Sequence, residues 1–331
     1  MNAIRLRQLI LEAAEHVPFY REHWRAAGVD LTRIGSAVHL EFLPVVRTAD
    51  LLACAPELRV DQRFLGRADQ ASVRRRRWRF LNALRDVGYV PGEKVMLISD
   101  APPPGGAAFL RWTYADPGQG EAELFAIYAR LRPHVLYGPL SSLVSIARSM
   151  LATPQMTWRP KLVVSTGGEL SDAQRTLLES AFSARVADFY YVRELGLVAY
   201  SRPGLSGFQV LTKDFHLELL RTPGTALERL VVTDLGSGAL PLIRFDTEDF
   251  VRRDTARLGA PIVAIGRGDT DSPEAANGEC LTPLEVEQAL DRAERAGKRP
   301  ATLTSCVANS RYMNNGAFTP RSPWQQAALR P

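Results

Sequence analysis

Lysine is nearly missing from this chain. Of 41 basic residues only Lys94, Lys161, Lys213 and Lys298 are lysines, so any reaction that needs a lysine amine has four candidates. Cysteine is as scarce: Cys54, Cys280 and Cys306 show no C-x-x-C or Cys/His spacing. That argues against a zinc site or a disulfide framework and suits a reducing cytoplasm. No apolar run approaches the ~18 residues that a membrane-crossing helix requires. The apolar stretch in MNAIRLRQLILEAAEHVPFY runs straight into acidic residues and a histidine, unlike a signal peptide. A dominant charge is also lacking, since 41 basic against 36 acidic side chains leave only +5. Arg74 to Arg77 make a concentrated cationic run, but only Trp78 and Phe80 interleave aromatics with it, so it reads as a solvated helix face. What remains is a folded cytoplasmic chain with no membrane span and no nucleic-acid partner. Its 331 residues, 46% hydrophobic and 23% charged, exclude a disordered, collagenous or coiled-coil protein.

The pattern along the chain alternates. Ile4, Leu6, Leu9, Ile10 and Ala13 have helical spacing, and Pro18 interrupts that helix before FYREHW. A helix is predicted over 71–87 with Trp78, Leu81, Leu84 and Val87 on one side and arginines over much of the rest. The compact run Val95–Ile98 reads as a buried strand. From Glu121 the order is helix, the strand HVLYG, a helix with Pro139 suited to its first turn, and the strand KLVVSTGG. Ser171 and Gln174 have capping-box spacing before a helix to about 183, and ARVADFYY returns to strand. This alternation predicts an α/β layered domain with a largely parallel sheet. Over 206–265 the runs FHLELL, LERLVVTDL, FVRR and PIVAIG predict a β-rich antiparallel region. Thr282, Pro283 and Glu285 signal one more helix, and 298–331 reads as an irregular tail.

The chemistry concentrates in residues 163–196. Thr166-Gly167-Gly168 at a strand end offers a backbone that a planar base or a phosphate can approach closely, and Glu169 adds an acceptor. Alone, this passage fits a tight turn. The next strand adds Asp188, Tyr190 and Glu194, which are a carboxylate, an aromatic face able to stack on adenine and a carboxylate able to hold Mg²⁺. Together these segments resemble the adenylate-forming ligases, in particular the phenylacetate-CoA ligase family. There a G-G-E turn precedes D-x-Y-G-x-[ST]-E, matched here by Gly167-Gly168-Glu169 and by Asp188 to Glu194. Tyr191 stands in place of the glycine and Arg193 in place of the hydroxyl residue.

The resemblance continues in LERLVVTDLGSGALPLIRFDTEDFVRR, similar to the family passage ending in R-Y-x-T-x-D, and in AIGRGD, similar to its G-R-x-D hinge. It spans most of residues 1–290. It implies a large layered α/β domain over 1–265 (α/β to about 200, β-rich over 206–265), then a hinge and remnant of a C-terminal domain over 266–297. It also implies that Tyr190 stacks on adenine, Asp249 accepts from both ribose hydroxyls, Glu194 holds Mg²⁺, Arg267 contacts the ribose or α-phosphate, and Asp269 serves as hinge. Gly167, Gly168, Glu169 and Asp188 would complete the nucleotide pocket. The implied reaction joins a carboxylic acid to ATP as an acyl-AMP and passes the acyl group to the thiol of CoA or of a carrier protein.

Three family features are missing, one of them any sign of a CoA-binding portion. Between Leu58 and Trp78 the family carries a Ser/Thr/Gly-rich phosphate loop, whereas RVDQRFLGRADQASVRRRR holds one glycine, Gly66, and one hydroxyl, Ser72. Arg67 and Arg74 to Arg77 offer guanidinium forks in its stead. The 44 residues after Glu287 are few for a C-terminal catalytic domain, and Lys298 is the one lysine among them. A second reading therefore stands beside the ligase: a non-catalytic protein that binds a nucleotide or an acyl-adenylate. The aromatics Trp112, Tyr114, Phe125 and Tyr137 hint at a flat or aromatic acid, and the same residues suit an ordinary core.

Overall fold

The computed structural model describes residues 2–33, 37–67, 69–99, 111–204, 207–221, 228–236, 238–253 and 262–267. The Thr282–Glu285 helix signal, Cys280, Cys306, Lys298 and Asp269 lie outside them. The chain opens with α1 (Asn2–His16), and Pro18 at the first position of α2 (Pro18–Ala26) separates the two helices. The short α3 (Thr48–Leu52) follows, then α4 (Gln70–Asp86). Next come β1 (Val95–Ile98), β2 (Trp112–Ala115), α5 (Glu121–Leu131), β3 (Val135–Pro139), α6 (Leu140–Ala152), β4 (Leu162–Thr166), α7 (Asp172–Phe182) and β5 (Arg185–Val192). Six further strands complete the described residues: β6 (Gly196–Ser201), β7 (Phe208–Val210), β8 (Phe215–Arg221), β9 (Glu228–Asp234), β10 (Phe245–Arg253) and β11 (Ile262–Arg267).

All eleven described strands form one sheet in the order β2-β1-β3-β4-β5-β6-β7-β11-β10-β9-β8. From β2 to β5 every pair is parallel, and from β5 onward every pair is antiparallel. The parallel strands are apolar on both faces, as helix-covered strands must be. On one face α5, α6 and α7 enclose Met96, Tyr128, Leu143, Ile146 and Phe182, while on the other α4 covers Leu97, Val164 and Phe189 with Ala83, Leu84 and Val87. Close packing also fixes Gly138 on β3, because an added Cβ would sit 2.7 Å from the Cβ of Ile98. The Ser171–Gln174 capping box forms as expected: each side chain bonds to the other residue's backbone at the start of α7. Pro139 differs slightly, serving as the residue before the first turn of α6 and as the last residue of β3.

A second core lies between α1, α2 and the antiparallel strands, with Leu6, Ile10, Trp24, Leu230, Val232 and Phe245. Tyr20 anchors it. Its buried hydroxyl donates to the Pro241 carbonyl at 3.1 Å and accepts from the Ile243 amide at 2.9 Å, and burial pushes the phenol's pKa upward. Ile4, expected on the apolar face of α1, is 77% exposed.

Helix α4 reverses part of its expected face. Trp78 is 61% exposed while Arg79 is 6% exposed. Arg79 is bonded to Asp234 at 3.0 Å and ion-paired with Asp214 at 3.3 Å, and its guanidinium lies 4.4 Å from the Phe215 ring centroid. A paired, stacked guanidinium can be buried where an indole has no cavity to enter. Removing one partner of such a cluster leaves uncompensated buried charge, so Arg79→Ala should lower stability by about 3–5 kcal/mol. Urea denaturation measures this, and a loss below about 1 kcal/mol would show the cluster to be solvated like a surface pair.

Candidate adenylate site

The predicted residues gather where the sheet changes from parallel to antiparallel. Strand β4 ends in Thr166, whose hydroxyl donates to the Phe189 carbonyl at 3.1 Å, and Gly167 follows with φ +72°. That left-handed backbone favours glycine, and nothing lies within 4 Å of where a Cβ would stand. Gly167 and Gly168 are exposed and Glu169 is half-buried. This turn lies outside the carboxyl end of a parallel strand, the usual ligand position in an open α/β sheet.

Strand β5 carries the next group. Asp188 is buried, accepts from the Ser165 hydroxyl at 2.5 Å, and its own amide donates to the Ser201 hydroxyl at 2.9 Å. Its carboxyl is therefore enclosed between strands. Two residues on, Tyr190 pairs with Ala199, and just past it the β5–β6 register skips Val198, a bulge in β6. Tyr190 comes out half-buried and its hydroxyl donates to Asp249 Oδ2 at 2.5 Å.

Asp249 reaches that position because β10 is itself bulged between Asp246 and Phe250. Buried Asp246 holds the bulge: its carboxylate accepts from the Glu248 amide at 3.0 Å and pairs with Arg229 at 2.6 Å. Thr247 donates to the Leu230 carbonyl at 3.0 Å and accepts from the Asp249 amide at 3.3 Å, and Glu248 takes φ +62°. Arg244, also buried, is gripped by Glu218 at 2.8 Å and 3.0 Å. Strand β11 places Arg267 in register with Asp249. The residues of R-F-D-T-E-D thus divide the work: Arg244, Asp246 and Thr247 shape the backbone that presents Asp249.

Glu194 sits in the turn between β5 and β6, and its backbone carbonyl accepts from the Arg76 guanidinium on α4. Mg²⁺ demands oxygen ligands. Here the family's hydroxyl position is Arg193, a second guanidinium bonds the Glu194 backbone, and the described residues contain no group of three or more His, Cys, Asp or Glu able to hold a metal. The turn thus offers one carboxylate, Glu194, with arginine in place of the hydroxyl beside it.

The segment expected to carry the phosphate loop has a different build. Gln62–Phe64 is one 3-10 turn, and Asp69 caps α4, accepting from Ser72 N at 2.9 Å, Ser72 Oγ at 2.6 Å and Ala239 N at 2.7 Å. Arg67 lines a cleft of about 490 Å³ with Leu9, Glu12, Asp61, Arg63 and Phe64, and none of Gly167, Tyr190, Glu194 and Asp249 borders it. The suggested aromatic acid pocket does not assemble either. Trp112 and Tyr137 pack on Phe80, whereas Phe125 packs on Tyr128 in the core under α5.

With this geometry in place, the likeness to solved structures is informative. The fold is similar to that of 2-hydroxyisobutyryl-CoA ligase. Crystal structures of 2-hydroxyisobutyryl-CoA ligase superpose with a TM-score of 0.63 at 20% identity for the postadenylation state with R3-HIB-AMP, covering 87% of this chain and 71% of that one. An open conformation with 2-HIB-AMP and CoA gives 0.62 at 21% identity, covering 87% and 78%. No family model matches the sequence, and no curated protein is significantly similar to it. No helix among the described residues is long and apolar enough to cross a membrane.

Burial raises the Asp188 carboxyl to about 6 from 3.8, against the Ser165 bond and Arg175, which favour ionisation. The fold thus prefers the protonated acid. That contribution is complete below the unfolded value and is lost as pH rises through about 6. Relative to wild type, Asp188→Asn should gain about 1 kcal/mol between about pH 5 and pH 8. Urea denaturation across that range tests it; a flat difference would place a charged Asp188 in the fold throughout.

Proposed function

We propose that this chain is an adenylate-forming carboxylate ligase of the phenylacetate-CoA ligase type. It holds the adenosine of ATP, joins a carboxylic acid to the α-phosphate as an acyl-AMP, and releases the acyl group to the thiol of CoA or another carrier. The observation that carries the reading is the pairing of Tyr190 with Asp249 at 2.5 Å, with Arg267 in register beside Asp249. An aromatic face for the base and a carboxylate for the ribose hydroxyls are thereby brought together from strands 59 positions apart. The likeness in fold to a CoA ligase captured with an acyl-AMP supports it.

In this reading Tyr190 orients the adenine and Asp249 fixes the ribose. Gly167 and Gly168 let the nucleotide approach the backbone, and arginine charge offsets the negative phosphate during attack by the substrate carboxylate. The second reading, adenylate binding without ATP turnover, is favoured by one feature: a 3-10 turn and an Asp-capped helix stand where a triphosphate loop belongs. Acid-dependent pyrophosphate exchange into ATP separates the two, since only the ligase supports it.

Both readings require nucleotide binding. Asp249→Ala should weaken AMP by about ten- to a hundredfold, the loss of ~1.5–3 kcal/mol from hydrogen bonds to a charged group. Tyr190→Ala should weaken it about tenfold. Calorimetric titration of the full chain measures both, and wild-type affinity in either variant would remove that residue from the site.

A further inference from the structure

Helix α4 carries the run Arg74 to Arg77, and the structure separates its members. Arg74 is exposed, and Arg75 donates to Ser72 Oγ at 2.7 Å near the helix start. Arg76 reaches the β5–β6 turn: half-buried, it bonds the Glu194 carbonyl, and its Cγ lies 3.5 Å from where a Cβ on Gly196 would stand. A guanidinium is thus fixed at the residue to which the family resemblance assigns a metal. It has five N–H donors in a planar fork, and the carbonyl takes one direction of that fork.

One alternative for holding a phosphate is closed. The α4 N-terminus is occupied by the Asp69 carboxylate, which accepts from the nearby Ser72 and Ala239 amides and adds negative charge. We infer that Arg76 is the counter-ion of this site: it holds the nucleotide phosphate directly, so that the chain binds AMP, or the AMP moiety of an acyl-adenylate, without a divalent metal. This rests on the placement of adenosine by Tyr190 and Asp249, which both functional readings share.

The test is calorimetric titration of AMP and of adenosine into the full chain, in EDTA and in Mg²⁺, for wild type, Arg76→Gln and Arg76→Lys. Glutamine keeps an N–H donor for the Glu194 carbonyl and removes the charge. The expected result is equal AMP affinity with and without metal, a loss of about ten- to a hundredfold for AMP in Arg76→Gln with adenosine unchanged, and partial recovery in Arg76→Lys. Loss of AMP binding in EDTA overturns the inference, as does an Arg76→Gln that leaves AMP unchanged or weakens AMP and adenosine equally, the latter marking a purely structural role. In those cases adenosine binding to wild type still upholds the adenylate site. If wild type binds neither adenosine nor AMP under either condition, the adenylate reading fails and the inference with it.

Discussion

The hydrogen bond from Tyr190 to Asp249 joins the two regimes of the sheet, and the candidate site depends on it. Tyr190 stands on the last parallel strand just before a bulge in its partner β6, and Asp249 stands on an antiparallel strand bulged by its own local network. The β10 bulge lies directly before Asp249, which stands in register with Arg267 on β11. Its supports, Asp246, Thr247 and Arg229, are buried or half-buried and bonded, which is how a β-strand can hold a non-glycine residue such as Glu248 at positive φ.

Charge organises the other wall. Helix α4 presents arginines in two directions, and their partners sit far along the chain. Arg79 is bonded to Asp234, ion-paired with Asp214 and stacked on Phe215, anchoring the helix to the β8–β9 pair. One turn earlier Arg76 meets the β5–β6 turn. Fixing Arg79 therefore helps fix Arg76, since both project from one rigid helix. An arginine-rich helix suits this use because the guanidinium stays charged when desolvated and accepts planar oxygen partners.

Much of this was legible in the sequence where the signal is local. The apolar Val95–Ile98 and Leu162–Thr166 strands, the Ser171–Gln174 cap and the antiparallel runs after residue 206 appear with bounds close to those expected. Tyr190 and Asp249 were named by motif, and the structure brings them together. What escaped depends on distant partners. Periodicity placed Trp78 inside and Arg79 outside because it counts apolarity and knows nothing of two carboxylates more than a hundred positions away. The Arg244–Glu218 clamp and the bulge-holding role of Asp246 escaped for the same reason, although both lie in or beside the R-F-D-T-E-D passage. Trp112, Tyr137 and Phe125 were misjudged as one pocket because neighbouring aromatics fall on opposite faces of the sheet.

The central claim, that an adenine nucleotide binds at the junction of β5 and β10, is tested most directly by a crystal structure of the chain with AMP. The account predicts the adenine face against the Tyr190 ring, the ribose hydroxyls on Asp249 and the phosphate toward Arg76 at the turn that carries Glu194. Nucleotide density elsewhere, with the Tyr190–Asp249 contact untouched, would contradict it and leave the fold as the only property shared with the ligases.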